Sequence, residues 1–215
     1  GNDPSSTTDD ANYNLAVGTT ALDAVTTGDY NTAVGYSSLT DNTTGGANVA
    51  YGSQSLFKNT TGSRNVAIGH QSLYQNTEGS HNTALGYNSL TNTTGNSNTA
   101  LGNVALTENT SGGSNVAIGM AALRNNTTAS YNTAIGRLAL EDANRTADTD
   151  GYNVGLGYNA GNTGTNNITT GNKNTLLGAS TAASAAAGTN QTVIGYGASG
   201  QANNSVVLGN ADVTA

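Results

Sequence analysis

The apolar residues of this chain recur at a fixed distance from a repeated glycine. From Asn14 to Gly209 the chain repeats the pattern Asn-x-Ala-apolar-Gly, then Ala/Ser-Leu, then a polar turn such as Asn-Thr-Thr-Gly; residues 64–79 are one copy. The repeated glycines, called marker glycines below, are Gly18, Gly35, Gly52, Gly69, Gly86, Gly102, Gly119, Gly136, Gly157, Gly178, Gly195 and Gly209. Most steps between them are 17 residues, with one of 16, two of 21 and a last one of 14. Such a short period is typical of a solenoid.

Seventeen residues are too few for two helices, but they can hold two short strands and two turns. The pattern therefore predicts an all-β fold, a parallel β-roll or β-solenoid. It would have about twelve rungs, a rung being one pass of the chain around the roll, most of them 17 residues long. The marker glycine is expected to turn the chain between the two strands. The Asn-Thr-Thr-Gly segment is expected to form the return turn, with its glycine at positive φ.

The organisation along the chain follows from the repeat. Residues 1–13 are interpreted as a flexible lead-in, 14–152 as regular 17-residue repeats, and 153–215 as irregular repeats that grade into a 14-residue unit.

Alternation along the predicted strand places Val66 and Ile68 on one face and Asn65 and Ala67 on the other. Because the residue before the marker glycine is apolar or Tyr in every copy, we expect it to lie inside the roll. The leucine four residues after the glycine is expected to meet it there. The predicted roll core is Val17, Val34, Ile68, Leu85, Leu101, Ile118, Ile135, Leu22, Leu39, Leu56, Leu73, Leu90, Leu106, Leu123 and Leu140.

A stripe of alanines, two residues before successive marker glycines, suggests a surface that another backbone approaches closely. We expect it to be the contact between chains of a parallel homo-oligomer, since a single roll of such small side chains buries little apolar area. The predicted contact stripe is Ala16, Ala33, Ala50, Ala67, Ala84, Ala100, Ala117 and Ala134. Farther along, Gly155, Leu176, Val193 and Val207 replace the alanine, so the contact between chains is expected to loosen or re-pack there.

Composition limits the candidate functions. Only 9% of the 215 residues are charged, there is no Cys, and the formal net charge of −7 leaves no basic face for nucleic acid. No apolar run approaches the ~18 residues of a membrane helix, so we expect no membrane insertion by this segment. No catalytic constellation is present, and we expect neither an enzyme nor a cofactor. His70 and His81 are interpreted as surface positions rather than a metal site.

The two 21-residue steps place extra residues in 141–150 and 162–172. Insertions in solenoids form loops on one face, and the first of these is the most charged segment of the chain. It is the candidate ligand-contact loop, with Glu141, Asp142, Asn144, Arg145, Asp148 and Asp150. Exposed tyrosines could also stack on sugars, although rim packing is the simpler interpretation. Regularly spaced threonines could form an ice-binding plane, although most lie in the turns.

The end of the chain resembles a known family. Residues 190–195 and 204–209 are similar to the N-S-V-A-I-G unit of trimeric autotransporter adhesin heads, and 196–200 to that family's linker. The longer copies before them resemble repeats of bacteriophage tail fibres and related surface fibres. The resemblance implies a left-handed parallel β-roll, three chains about one axis, and a role in attachment.

We therefore expect a structural fibre segment, the shaft or head of a trimeric adhesin or tail fibre that mediates attachment to a target cell surface. It would be extracellular, on a cell surface or a virion fibre. Its partners would be two further copies and, as a candidate, a cell-surface glycan or protein receptor. Two alternatives stay open: a module that itself binds a glycan or receptor, and an ice-binding β-solenoid.

Overall fold

The computed structural model describes residues 12–144, 150–164 and 166–212, and is all-β. Within these ranges it contains a single parallel sheet of twelve three-residue strands in chain order. The strands are β1 Leu15–Val17, β2 Thr32–Val34, β3 Val49–Tyr51, β4 Val66–Ile68, β5 Thr83–Leu85, β6 Thr99–Leu101, β7 Val116–Ile118, β8 Thr133–Ile135, β9 Val154–Leu156, β10 Thr175–Leu177, β11 Thr192–Ile194 and β12 Val206–Leu208. Each pass of the chain adds one strand beside the last, so the predicted β-solenoid is confirmed.

The marker glycines end the strands, as predicted. Gly86 has a φ of +137°, and a Cβ on it would lie 2.5 Å from the carbonyl oxygen of Gly102 in the next rung. The other marker glycines share the positive φ, from Gly18 to Gly209. Both the conformation and the close stacking require a residue without a side chain.

The second strand of each rung, predicted around the repeated leucines, is absent from the described ranges. These segments are turns, and Leu73 has a φ of +52°, as its seven equivalents do within a few degrees. Alternating left-handed residues, such as Gln71 and Leu73, bend the chain too often for a strand. Their N–H groups still bond from rung to rung, for example Leu73 N to Ser89 O at 3.1 Å. Burial of the leucine and this repeated bond offset the cost of the conformation.

The two faces of the sheet are the reverse of those predicted. Ala33 and Ala67 are 0% exposed within one chain, whereas Val17 is 49% and Leu85 47% exposed. The side chains of Val17, Val34, Ile68, Leu85, Leu101, Ile118 and Ile135 therefore point outward and are not core. The alanines Ala16, Ala33, Ala50, Ala67, Ala84, Ala100, Ala117 and Ala134 are buried in the roll and cannot form a contact between chains.

The physical reason is the narrowness of the roll. A backbone does approach the alanine stripe closely, but it is the leucine-bearing turn of the same chain. The eight leucines, Leu22, Leu39, Leu56, Leu73, Leu90, Leu106, Leu123 and Leu140, are buried as predicted. An interior that holds one leucine per rung leaves room for only a methyl group opposite it.

The packing does change from Gly155 onward, but the change lies in the interior of the chain rather than at the predicted contact between chains. A Cβ on Gly155 would lie 2.7 Å from Leu140 Cγ, so only glycine fits there. In the next rungs Leu176 and Val193 are buried in place of alanine. The turns that follow their strands now carry buried alanines, including Ala183 and Ala198, instead of leucine. The larger buried side chain is now on the strand and the smaller one on the turn. The summed volume of the two side chains therefore changes little.

Buried amides fill the rest of the interior. The residue before the strand is Asn in β1 to β10, Gln191 in β11 and Ser205 in β12; we call the ten asparagines and Gln191 the strand-leading ladder. Its members are Asn14, Asn31, Asn48, Asn65, Asn82, Asn98, Asn115, Asn132, Asn153, Asn174 and Gln191. Asn65 Oδ1 accepts the backbone N–H of Asn82 at 2.9 Å, and Asn65 Nδ2 donates to the carbonyl oxygen of Gly79 at 2.8 Å. Each rung is thereby bonded to the next.

A second set, the turn ladder, begins each return turn: Asn42, Asn59, Asn76, Thr93, Asn109 and Asn126. Asn76 Nδ2 donates to Asn59 Oδ1 at 2.8 Å and to Gly79 O at 2.9 Å. The ladder breaks where the next rung lacks an amide: the Oδ1 atoms of Asn76 and Asn126, which precede Thr93 and Ala143, have no hydrogen-bond partner.

The return turns require glycine, but not because of a positive φ, which was the predicted reason. Gly28, Gly45, Gly62, Gly79, Gly95 and Gly112 do not have positive φ. A Cβ on Gly62 would instead lie 2.3 Å from Gly79 O and 2.4 Å from Asn59 Oδ1. Close stacking of the turns, not backbone conformation, excludes a side chain here.

The inward face of the sheet is testable by substitution. We expect Ala84→Leu to lower the free energy of unfolding by about 1–3 kcal/mol, because the added carbons overfill a closed interior. The neighbouring outward change Thr83→Val, which reproduces the residue of other rungs, should change it by less than about 0.5 kcal/mol. Urea unfolding at one protein concentration measures both. A larger loss from Thr83→Val would contradict this assignment of faces.

The strand-leading ladder should contribute more to stability than surface asparagines. Asn82→Ala removes the bonds to Gly95 O and from Asn98 N, each 2.9 Å, and leaves two buried groups unpaired. We expect a loss of about 3 kcal/mol in the free energy of unfolding. Asn103→Ala, at an exposed position, is the matched control and should cost less than about 0.5 kcal/mol. Equal losses of stability in the two variants would show that the buried asparagine contributes no more than an exposed one.

Candidate functional site

The outward side of the twelve-stranded sheet, called the outer sheet face, is an uncharged and mostly apolar surface that runs along all twelve strands. It is formed by the first and third residues of every strand. The first residues are Leu15, Thr32, Val49, Val66, Thr83, Thr99, Val116, Thr133, Val154, Thr175, Thr192 and Val206; the third are Val17, Val34, Tyr51, Ile68, Leu85, Leu101, Ile118, Ile135, Leu156, Leu177, Ile194 and Leu208. All are half-buried or exposed, and none is charged.

The dimensions of this face follow from strand geometry. Twelve strands at a spacing of about 4.8 Å span about 53 Å, and three residues span about 10 Å, which gives an area of roughly 500 Å². A continuous apolar patch of this size on a soluble protein usually marks an interaction site. Sequence reasoning placed half of it in the core, because it ranked Val, Ile and Leu as more buried than Asn and Ala.

Two ranks of exposed side chains border the outer sheet face. The leading rank precedes the strand-leading ladder: Tyr13, Tyr30, Ala47, Arg64, His81, Ser97, Ser114, Tyr131, Tyr152, Lys173, Asn190 and Asn204, all with φ between +48° and +62°. The trailing rank follows the marker glycines: Thr19, Tyr36, Ser53, His70, Tyr87, Asn103, Met120, Arg137, Tyr158, Ala179, Tyr196 and Asn210. Eight of the ten tyrosines belong to these two ranks.

Side chains in successive rungs of a rank stack on each other. The rings of Tyr13 and Tyr30, and those of Tyr131 and Tyr152, have centroids 5.0 Å apart. The Arg137 guanidinium lies 5.6 Å from the centre of the Tyr158 ring. Sequence reasoning missed these ranks by treating the tyrosines as scattered. The sequence feature that could have revealed the ranks is the position of these tyrosines, directly before the strand-leading asparagine or directly after the marker glycine.

The acidic side chains of the candidate ligand-contact loop are bonded within the chain. Glu141, nearly buried, pairs with Arg124 at 2.6 Å and accepts a bond from Asn162 Nδ2 at 2.7 Å. The two oxygens of Asp142 accept from Asn125 Nδ2 and Asn167 Nδ2, each at 2.7 Å. These carboxylates join the two inserted segments to the regular roll.

Other residues of that loop have similar contacts. Asn144 Oδ1 accepts bonds from the backbone N–H and the hydroxyl of Thr127, at 3.0 and 2.8 Å. Asp150 Oδ2 accepts the Tyr152 hydroxyl at 3.3 Å, and partial desolvation together with this carboxylate raises the pKa of Tyr152 above its usual 10.0. Arg145 and Asp148 lie outside the described residues. Ligand contact by the loop stays a prediction.

The two histidines lie on the surface in different ranks. The His70 ring stacks on Tyr87, with centroids 5.4 Å apart, and His81 Nε2 lies 3.5 Å from Arg64 Nη1. Among the described residues, no group of three or more His, Cys, Asp or Glu is placed to hold a metal ion. A search of the same residues finds no helix with the length and apolarity to cross a membrane.

Comparison with protein-family models, with curated proteins and with solved structures found no match to this chain. The outer sheet face and the two ranks beside it are therefore the features of the chain that suggest a function.

Proposed function

We propose that the chain is a structural fibre segment, the shaft or head of a trimeric adhesin or tail fibre that mediates attachment to a target cell surface. Three copies would pack in parallel, with their outer sheet faces turned toward a common axis. The observation that supports this most is the uncharged apolar face along the whole sheet. Its role is mechanical: a stiff rod presents three copies of any binding element together, so that weak contacts add as avidity.

The size of the face supports assembly. A stable interface buries about 800 Å² per partner, and the outer sheet face supplies roughly 500 Å² of this. The trailing rank extends the same surface at one edge with tyrosine, a residue type enriched at interfaces. Burying the outer sheet face and this rank would add to an apolar interior that is built mostly from alanine and leucine.

The parallel arrangement follows from the repeat, whereas the number three rests on the resemblance. Parallel strands in register would place each rung of one chain beside the same rung of its neighbours, so every layer would have the same environment. The resemblance of residues 190–209 to trimeric autotransporter adhesin heads suggests three chains. The proposed location, extracellular and on a cell surface or virion fibre, rests on the same resemblance.

One alternative is favoured by a specific observation. Thr32, Thr83, Thr99, Thr133 and Thr175 lie on the outer sheet face, where a regular hydroxyl array could order water as ice does. Valines interrupt this column, and the column beside it is mostly Val, Ile and Leu, so packing between chains fits the surface better. A thermal hysteresis measurement decides: its absence would end the ice-binding alternative.

Charge placed on the outer sheet face should prevent assembly. We expect wild-type protein at micromolar concentration to scatter light as a trimer, and Ile68→Glu/Leu85→Glu to scatter as a monomer, because carboxylates would have to be buried. The matched control is Thr44→Glu/Thr61→Glu, in exposed turns where Glu78 occupies the equivalent position of the next rung. It should remain a trimer.

A wild-type chain that stays monomeric at these concentrations would overturn the proposal. So would equal dissociation of the face variant and the turn variant, since this would reflect net charge rather than the outer sheet face.

A further inference from the structure

In one rung of the leading rank, a small residue lies between large side chains in the rungs before and after it, which leaves a gap one rung wide. Ala47 stands between the large side chains of Tyr30 and Arg64, and the space above it is a cleft of about 380 Å³. The cleft is lined by Asp29, Tyr30, Gly46, Ala47, Ser63 and Arg64. The cleft is shallow and open to solvent, and its volume lies near the lower end of the range of about 300–1,000 Å³ that is usual for small-molecule sites.

The stacked tyrosines give the spacing of the gap. The rings of Tyr13 and Tyr30, one rung apart, are 5.0 Å apart and only 5° from parallel. Arg64 is two rungs beyond Tyr30, so the two side chains stand about 10 Å apart, at about 4.8 Å per rung. Tyr13 covers one face of the Tyr30 ring, and the other face looks across Ala47. One ring placed there would lie about 5 Å from each wall, a normal separation for stacked groups.

The polar groups at the rim are held in place by the chain. Asp29 Oδ1 accepts the backbone N–H of Asn12 at 2.7 Å, and Ser63 Oγ accepts that of Gly46 at 3.0 Å. Arg64 Nη1 lies 3.5 Å from His81 Nε2. Asp29 and Arg64 both line the cleft, so a carboxylate that accepts bonds and a guanidinium that donates them border the same small space.

The balance of charge narrows the ligand class. Asp29 and Arg64 carry opposite charges, so the cleft favours neither an anion nor a cation. The formal net charge of −7 on the chain further disfavours an anion. An uncharged ligand with one apolar face and several hydroxyl groups fits this cleft. Its apolar face can stack on Tyr30, and its hydroxyl groups can form hydrogen bonds with the polar groups that border the cleft.

We propose that this cleft binds one neutral hexopyranose unit of a glycan. The C–H face of the sugar stacks on Tyr30, its hydroxyl groups donate to Asp29, and Arg64 donates to them from the opposite wall. The proposal deepens the attachment role and rests on it in one respect: in a trimer the cleft occurs three times around the rod, so weak single contacts combine.

The other gap in the leading rank serves as a contrast. Ser97 and Ser114 separate His81 from Tyr131, so the walls stand three rungs, or about 14 Å, apart. One sugar ring cannot touch both.

A filling substitution tests the cleft. Ala47→Tyr should fold normally, because Ala47 has a φ of +57° and Tyr30 holds the same position at +59°. The new ring would occupy the sugar's place. We expect glucose, galactose, mannose and their disaccharides, titrated by saturation-transfer NMR, to include at least one that binds the wild-type chain. Binding should be undetectable in Ala47→Tyr and about five- to tenfold weaker in Tyr30→Ala.

Ser97→Tyr is the matched control, because Ser97 is exposed in the same rank at a φ of +61°. It should leave binding unchanged. Equal loss in both tyrosine variants, or loss in Ser97→Tyr alone, would overturn the assignment to this cleft. A glucuronic acid that binds tenfold more tightly than glucose would overturn the assignment of a neutral ligand.

Light scattering of the same samples separates this inference from the fibre proposal. A trimer that binds none of the sugars refutes the cleft and leaves the fibre segment standing. A monomer whose sugar binding is lost only in Ala47→Tyr supports the cleft and refutes the trimer. A change of oligomeric state in Ala47→Tyr would show that another copy of the chain, not a sugar, occupies the gap.

Discussion

The structure depends on the amide hydrogen bonds of the strand-leading ladder. Each asparagine accepts the backbone N–H of its counterpart in the next rung, and all but Asn132 donate to a turn carbonyl there, for example between Asn65, Asn82 and Gly79. A buried amide that slipped by one residue would lose both bonds, which fixes the register of every strand. In a solenoid each rung contacts only its neighbours, so the alignment of every rung depends on its bonds to the adjacent ones. Here one residue type, asparagine, forms these bonds along nearly the whole sheet.

The same ladder explains why rungs of different length stack in one sheet. Between Asn132 and Asn153 the chain is four residues longer than in a regular rung, yet Asn153 still donates its backbone N–H to Asn132 Oδ1 at 3.1 Å. Glu141 and Asp142, at the start of the first insertion, are bonded to the neighbouring rungs. Where the rung is one residue shorter, Asn98 keeps the bond to Asn82 at 2.9 Å. Variation in length is confined to the turns, and the alignment of strands is unaffected.

The sequence was sufficient to predict the β-solenoid, the rung count and the buried leucines, because these depend only on the period and on strong apolar positions such as Leu73 and Leu90. It was insufficient for the direction of the strand side chains. Ranking by hydrophobicity put Ile68 inside and Asn65 outside. That ranking fails when the interior is one leucine wide and the asparagine forms hydrogen bonds there to the neighbouring rung. The leading and trailing ranks were missed for a related reason: the left-handed conformation that aligns Tyr13 with Tyr30 is visible only in the backbone.

The interrupted turn ladder has a consequence for how such a rod bears load. The Oδ1 atom of Asn76 lacks a partner because Thr93 follows it, so the turn ladder loses a bond at this junction between rungs. At the equivalent break after Asn126, the Arg124–Glu141 ion pair and the bonds of Asp142 and Asn144 cross the same junction and compensate for the loss. In a linear array, tension is carried equally by every junction and separation begins at the weakest. A fibre pulled along its length would therefore yield first at the boundary between Asn76 and Thr93, and could lengthen there while the rungs on either side stayed folded.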